Sequence, residues 1–280
     1  MVLVNKLKLR LQLEQFFLED IGDRDVSSDL IFGKAGIGEI VFIAKAAGVF
    51  CGEEVIRTGF QLLDPHAMIE MMTSDGELVE TGQKLAMVKG NISDLLKGER
   101  VVLNLVQRMS GISSKTKEAV ESLASSHTRI CDTRKTTPGL RMLEKYAVRC
   151  GGGFNHRYGL YDAVMIKDNH ISFAGGITNA VNEVRTKIGH MVKIEVEAET
   201  KEQVLEAVEA NVDCIMFDNR SPEEIKELIK LVPSGIATEA SGGISMETLP
   251  SYRDTGVDYI SLGFLTHTIK ALDISVKVNM

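Results

Sequence analysis

Apolar residues recur at helical spacing from the start of the chain. Leu7, Leu11, Leu13, Phe16, Phe17 and Ile21 fall within residues 5–21 and predict an amphipathic helix that Gly22 ends. A strand-like run at 39–50 is followed by a predicted helix at 53–63 and by two short strands within 68–90, turning at Asp75-Gly76. Residues 95–109 are helical in pattern, and Ser110-Gly111 is the expected end of that helix and of an N-terminal domain. Beyond it the period changes. Six β-branched runs follow, at 128–132, 162–166, 192–196, 212–217, 235–240 and 257–262, separated by helix-like stretches. This alternation predicts βα units around a parallel sheet. Three helix starts are marked: Thr137-Pro138 as a cap with a first-turn proline, and capping boxes at 200–203 and 221–224, the latter with Pro222.

A composition of 44% hydrophobic and 25% charged residues over 280 positions excludes disordered and collagen-like chains. No window approaches the roughly 18 unbroken apolar residues of a membrane helix, and the first segment alternates charge with Leu, so a cytoplasmic protein is expected. The cysteines, Cys51, Cys131, Cys150 and Cys214, form no C-x-x-C pair and are expected to be buried, reduced thiols. Residues 68–90 resemble half of a biotinyl or lipoyl carrier domain, but the tip, Met71 to Asp75, offers no Lys to modify. Its methionines are expected to fill the core.

Charge is concentrated. The net charge is -7, yet residues 129–170 carry eight basic side chains (Arg129, Arg134, Lys135, Arg141, Lys145, Arg149, Arg157, Lys167) against four acidic ones. An acidic protein with one basic stretch points to a pocket for a small anion and away from a nucleic-acid footprint.

In a parallel α/β sheet, reactive groups gather at the C-terminal strand ends. Arg134-Lys135, Lys167-Asp168, Glu197, Asp218, Ser241-Gly242-Gly243 and Gly263 each follow or end a predicted strand. Their intervals, from 21 to 32 residues, suit one βα unit each, so a barrel would bring them to one mouth. The glycine loops at 241–243 and 263 predict a phosphate cradle of backbone N–H groups helped by a helix N-terminus. Beside a phosphate, Glu197 and Asp218 make sense as Mg²⁺ ligands or partners of sugar hydroxyls, the alternative being ion pairs with Lys135 or Lys167. His156 and Arg157 follow the flexible run Gly151 to Gly153 and, with Arg134, suit a carboxylate. His66, His127 and His190 are expected to be satisfied core residues.

At this point longer motifs join up. Residues 132–139 (Asp132-Thr133-Arg134-Lys135-Thr136-Thr137-Pro138-Gly139), Glu144 to Val148, Asn155-His156-Arg157, Lys167-Asp168-Asn169-His170, Glu195-Val196-Glu197, Asp218-Asn219, Glu239 to Ile244 and Ala271-Leu272-Asp273 closely resemble the nicotinate-nucleotide pyrophosphorylase (carboxylating), or quinolinate phosphoribosyltransferase, family. The similarity extends to Glu19 to Gly22, Gly98-Glu99-Arg100 and Ser110 to Ile112; Arg24 stands where Gly is usual, and Ser27-Ser28 replace two threonines.

The resemblance implies two domains: an N-terminal α/β sandwich at 1–110, which the tail at about 268–280 rejoins, and an incomplete α/β barrel of TIM-like type at 111–267. It implies a homodimer or larger oligomer with shared active sites, and a Mg²⁺-assisted pentosyl transfer from phosphoribosyl pyrophosphate to quinolinate, giving nicotinate mononucleotide, pyrophosphate and CO2 for NAD biosynthesis. By motif, Arg134, His156, Arg157 and Lys167 fall on quinolinate, with Arg100 from the neighbouring subunit. Lys135, Glu197, Asp218, Ser241, Gly242, Gly243 and Gly263 fall on the phosphoribosyl side, and Lys135, Lys167, Glu197 and Asp218 on the catalytic centre. The alternatives are a related transferase acting on another aromatic acid without decarboxylation, and a non-catalytic ligand-sensing barrel.

Overall fold

The computed structural model describes residues 4–32 and 36–278. In chain order its first part runs α1 (Lys6–Ile21), α2 (Val26–Ile31), β1 (Ile37–Ala44), β2 (Gly48–Val49), α3 (Glu53–Leu63), β3 (Met68–Met71), β4 (Leu78–Val79), β5 (Lys84–Asn91) and α4 (Ile92–Leu123). Then come β6 (Arg129–Cys131), α5 (Arg141–Cys150), β7 (Val164–Ile166), α6 (Asp168–Ala174), α7 (Ile177–Arg185), β8 (Ile194–Ala198) and α8 (Lys201–Glu209). The chain finishes with β9 (Cys214–Asp218), α9 (Pro222–Leu228), β10 (Ala237–Ser241), β11 (Tyr259–Ser261), α10 (Phe264–His267) and β12 (Ile274–Val278). Residues 1–117, 137–152 and 268–280 form one unit, and 118–136 with 153–267 the other.

The first unit is built on a four-stranded sheet in the order β12-β1-β5-β3. On α1 the buried row is Leu9, Leu13 and Phe17; Leu7 and Leu11, expected inside, are exposed. Two residues of helix turn about 200°, so a row starting at Leu7 faces away from one starting at Leu9. The α2 start, where Ser27-Ser28 depart from the family pattern, is capped by Asp25 Oδ1, which accepts the backbone N–H of both serines. The strand expected over 39–50 is two strands, because the chain bends after Ala44 and β2 pairs with β4 in a separate ribbon; 68–90 therefore holds three strands. Of the tip methionines expected in the core, Met71 is only half-buried and Met72, just past the edge strand β3, is 40% exposed. Phe42 of β1 and Phe60 of α3 fill that core instead, edge to face at 6.0 Å. Fully burying such a side chain stabilises by about 1.5–3 kcal/mol.

Helix α4 does not stop at Ser110-Gly111. Gly111 sits where a Cβ would lie 2.3 Å from the Lys270 carbonyl oxygen, so glycine serves close backbone approach rather than termination. The hydroxyls along this stretch are satisfied: Ser110 Oγ accepts the Cys51 N–H at 3.0 Å and Thr116 donates to the Ile112 carbonyl at 2.8 Å. Thr137-Pro138 is likewise not a helix cap. Leu140 N–H bonds to the Thr137 carbonyl at 3.0 Å across Gly139 (φ 85°), so Pro-Gly makes a tight turn and α5 begins only at Arg141. The Asp75 tip is tied down, accepting N–H groups of Gly52 (2.6 Å) and Glu53 (3.0 Å) and the Tyr146 hydroxyl (2.7 Å).

The second unit holds six parallel strands in the order β6-β11-β10-β9-β8-β7. From β7 to β11 each strand pairs with the next in sequence and β6 closes onto β11, but among the described residues β6 and β7 do not pair with each other, which is an incomplete barrel. Strand alternation gives this sheet two unlike faces. Ile166, Ile194, Val196, Ile215, Phe217, Ala240 and Ile260 are buried on one, which α7 and α8 help to cover. The other carries Glu195, Glu197, Asp218, Glu239, Ser241 and Ser261, as the registers of β8 to β11 show. Both expected capping boxes form, at Thr200/Gln203 and Ser221/Glu224 with Pro222 in the first turn.

His66, His127 and His190 prove to be surface residues, with His127 paired to Asp258 at 3.3 Å. All four cysteines are free; Cys51 and Cys131 are buried, but Cys150 and Cys214 only partly so. No described helix is long and apolar enough to cross a membrane.

Candidate active site

The C-terminal strand ends of the second unit carry the chemistry. Lys167 lies just past β7, its N–H donated to His170 Nδ1 at 3.0 Å, and its ammonium is ion-paired with Glu197 Oε1 on neighbouring β8. Asp218 ends β9 in register with Ser241, the last residue of β10. Asn219 follows in a left-handed conformation (φ 53°), donating its N–H to the Ser241 carbonyl (2.9 Å) and its side-chain amide to Asp218 Oδ2 (2.7 Å). Gly242 fits beneath it: with φ at 84°, a Cβ would lie 2.2 Å from Asn219 Oδ1. Gly263, past β11, lies against Lys135, whose Cδ would be 3.1 Å from an added Cβ. The Lys135 carbonyl accepts the Thr266 hydroxyl at 2.7 Å. Thus Lys135, Lys167, Glu197, Asp218, Ser241, Gly242 and Gly263 form one chain of neighbours. Burial pushes the Glu197 carboxyl up, against the pull of Lys167 and with a further push from Asp218. Burial also raises Asp218, partly offset by Lys167 and Lys135.

The glycine loops differ from expectation in one respect. After β10 comes only a 3₁₀ turn at Leu249–Tyr252, and α10 after β11 has four residues, so a helix dipole contributes little. Gly243 (φ 65°), with open space at its Cβ position, leaves backbone N–H groups as the available donors.

On the other side, the chain after the glycine run lies along β6, with a parallel bridge from Cys131 to Phe154. Fully buried Asp132 fixes it, accepting the Asn155 amide at 2.6 Å and the His156 N–H at 2.9 Å. Arg157 is held at its tip by the Ala163 carbonyl (3.1 Å) and Met165 Sδ (3.6 Å), while its buried Nε has no acceptor. Burial and then the charge of Arg134 hold the Arg157 guanidinium below its usual range, while Glu195, Asp162 and Glu197 act the other way. The basic segment itself divides: Arg129 stacks over Phe154 at 4.8 Å, and Arg141, Lys145 and Arg149 lie on α5 in the first unit. Arg100 is an exposed residue of α4, also in the first unit.

Three buried carboxyls of the second unit had drawn no role from sequence: Asp132, Glu195 and Glu239. Glu195 and Glu239 flank His156 Nε2, at 3.0 and 3.6 Å. The signal for Glu195 and Glu239 was present as polar residues at alternate positions of interior strands, Glu195/Glu197 and Glu239/Ser241, which strand period places on one face.

Comparison with known proteins follows this geometry. The family model described as quinolinate phosphoribosyl transferase, C-terminal domain, matches residues 112–277, and that of the N-terminal domain matches 25–110. The chain belongs to the quinolinate phosphoribosyltransferase family. It is 53% identical over 277 residues to a probable nicotinate-nucleotide pyrophosphorylase (carboxylating) of Bacillus subtilis, covering 99% of this chain and 96% of that protein. A protein of the same description from Synechocystis is 42% identical over 269 residues, covering 95% and 91%. The crystal structure of NadC from Streptococcus pyogenes superposes with a TM-score of 0.96 at 38% identity, covering 100% of this chain and 99% of that one. The mixed α/β fold, an antiparallel N-terminal sheet and a parallel barrel, is therefore that of the quinolinate phosphoribosyltransferases.

Proposed function

We propose that the protein joins quinolinate to phosphoribosyl pyrophosphate, releasing pyrophosphate and CO2 and forming nicotinate mononucleotide for NAD biosynthesis. The observation that carries this reading is the buried, unfilled Arg157 Nε, on a guanidinium that feels the charge of Arg134 and of Glu197. Two neighbouring guanidiniums favour a dianion, and quinolinate brings two carboxylates. Lys167 completes that subsite beside His156, whose two ring nitrogens are engaged within the protein, and Arg100 reaches it from a neighbouring subunit of a homodimer or larger oligomer. Exposed Leu7, Leu11 and Leu18 on α1 support association between copies. The reaction needs no membrane and no nucleic acid, in keeping with a cytoplasmic enzyme.

On the ribose side, the backbone at Gly242, Gly243 and Gly263 and the Ser241 hydroxyl take the 5′-phosphate, and Lys135 neutralises the departing pyrophosphate. As the C1–O bond breaks, the sugar becomes oxocarbenium-like, and Glu197 and Asp218 stabilise the positive charge. The guanidiniums hold the pyridine nitrogen in line with C1. Once that nitrogen is quaternary, the adjacent carboxylate leaves as CO2, and the ring carbon that keeps the electron pair takes up a proton from solvent. Glu197 and Asp218, oxygen donors whose burial disfavours uncompensated charge, fit Mg²⁺. Bound there, the ion would supply charge neutralisation for the diphosphate.

The test is to incubate the protein with phosphoribosyl pyrophosphate and either quinolinate or nicotinate. CO2 and pyrophosphate in equal amounts with quinolinate, and neither with nicotinate, is the expected result. Pyrophosphate from nicotinate would move the protein to the non-decarboxylating reading, and no turnover of either would leave a ligand-sensing barrel.

A further inference from the structure

His156 is gripped at both ring nitrogens. Nδ1 accepts the backbone N–H of Arg157 at 2.8 Å and therefore carries no proton, which places the ring proton on Nε2. That Nε2 lies 3.0 Å from Glu195 Oε2, with Glu239 Oε1 behind at 3.6 Å. Both carboxyls lie on the strands short of their C-terminal ends, on the face that also carries Glu197 and Asp218, and both are more than nine-tenths buried. They sit one residue pair deeper than Glu197 and Ser241 and stand outside the reaction steps given above.

We propose that Glu195 is a positioning residue for Arg157: through the Nε2–H of His156 it fixes the imidazole, and the imidazole fixes the backbone N–H from which the Arg157 side chain springs. The proposal rests on the dicarboxylate reading of the pocket. The Arg157 tip has its own anchors at Ala163 and Met165, but its Nε, the donor left open, lies at the end nearer the backbone. A ring free to rotate would let the 156–157 turn move, and Nε would swing away from a carboxylate held by Arg134. Glu195 touches neither substrate in this arrangement; it acts on the aim of one donor.

The chemistry separates an acceptor requirement from a mere filling of space. Glu195→Gln keeps an oxygen able to accept the Nε2–H, whereas Glu195→Leu has similar volume and no acceptor. Steady-state kinetics on both, with quinolinate and phosphoribosyl pyrophosphate varied separately and melting temperature recorded, read the difference. For Glu195→Leu the quinolinate KM should rise about 10- to 50-fold, the effect of misplacing one charge-assisted donor, with kcat and the other KM within about threefold. Glu195→Gln should stay within about threefold of the parent in every parameter. Should Glu195→Leu not fold, Glu195→Met, likewise of similar volume and without an oxygen acceptor, should show the same split. Equal rises in both KM values, a fall in kcat alone, or Gln behaving as Leu overturns the proposal. A parent protein that makes no nicotinate mononucleotide overturns the function instead, so the two failures are told apart.

Discussion

Lys167 and Glu197 are ion-paired across the ends of adjacent strands, with the lysine side chain 43% and the glutamate 14% exposed. A half-exposed pair of this kind contributes about 0–1 kcal/mol to stability, so it leaves the scaffold largely indifferent to its loss. Glu197→Gln and Asp218→Asn are therefore expected to lower kcat on the order of 100-fold, roughly 2.7 kcal/mol, while the melting temperature barely moves. Normal turnover with a depressed melting point would assign both carboxylates to the scaffold.

Removing either guanidinium acts on the dicarboxylate. Arg134→Ala or Arg157→Ala should weaken quinolinate binding by about 2 kcal/mol, roughly 30-fold, since a carboxylate oxygen is left without its charged donor. Calorimetric titration with quinolinate checks this, and unchanged affinity in both variants refutes it. Arg157→Lys should not rescue, because one ammonium cannot reach the Ala163 and Met165 anchors and a ligand at once.

Arg100 is exposed on α4, in the first unit. If it serves a neighbouring copy, Arg100→Ala and Lys135→Ala proteins, each inactive, should complement when subunits exchange. Random hybrid dimers contain one intact site in half of the molecules, so about a quarter of parental activity is expected. Mixtures that stay inactive after exchange is verified by mass labelling exclude the shared site.

Glu239 gives the fold a pH dependence. Burial first, and then the charge of Glu195, push its carboxyl up to about 7 from the usual 4.5; His156 and Ser261 pull it down, and Asp132 pushes the same way as Glu195. The folded state thus holds a proton that the unfolded chain has released, so this contribution is full below about pH 4.5 and is lost as pH rises through about 7. Melting temperature should fall by a few degrees between about pH 5 and pH 8, reflecting at most about 3 kcal/mol. Glu239→Gln, which keeps the neutral form at every pH, should flatten that slope; an unchanged slope places the proton elsewhere.

What sequence revealed and what it hid divides by range. The six parallel strands were legible from β-branched runs, and the starts of α8 and α9 from Thr200/Gln203 and Ser221-Pro222, because a cap acts within one turn. Gly111 was misread because its reason, the Lys270 backbone, lies 159 residues further on. Pro138-Gly139 was misread because one dipeptide serves helix starts and tight turns alike, and only the hold of Glu144 on the Thr137 N–H (3.1 Å) decides. In the site, strand-end spacing gathered Lys135, Lys167, Glu197, Asp218 and Ser241 correctly. It could not show Glu195 and Glu239 meeting at His156, a contact across three separate elements.

The pairing of β12 with β1 joins Ile40 to Val278, 238 residues later. At synthesis rates of about 5–20 residues per second, β1 emerges from the ribosome on the order of 10–50 s before its outer partner exists. During that interval the nascent protein carries a strand of eight residues with one unprotected flank, open to pairing with another nascent chain on the same message. Yield in the cell should therefore depend on chaperone supply and translation speed more than the finished sheet's stability suggests, and shortening the chain before Ile274 would make the transient flank permanent.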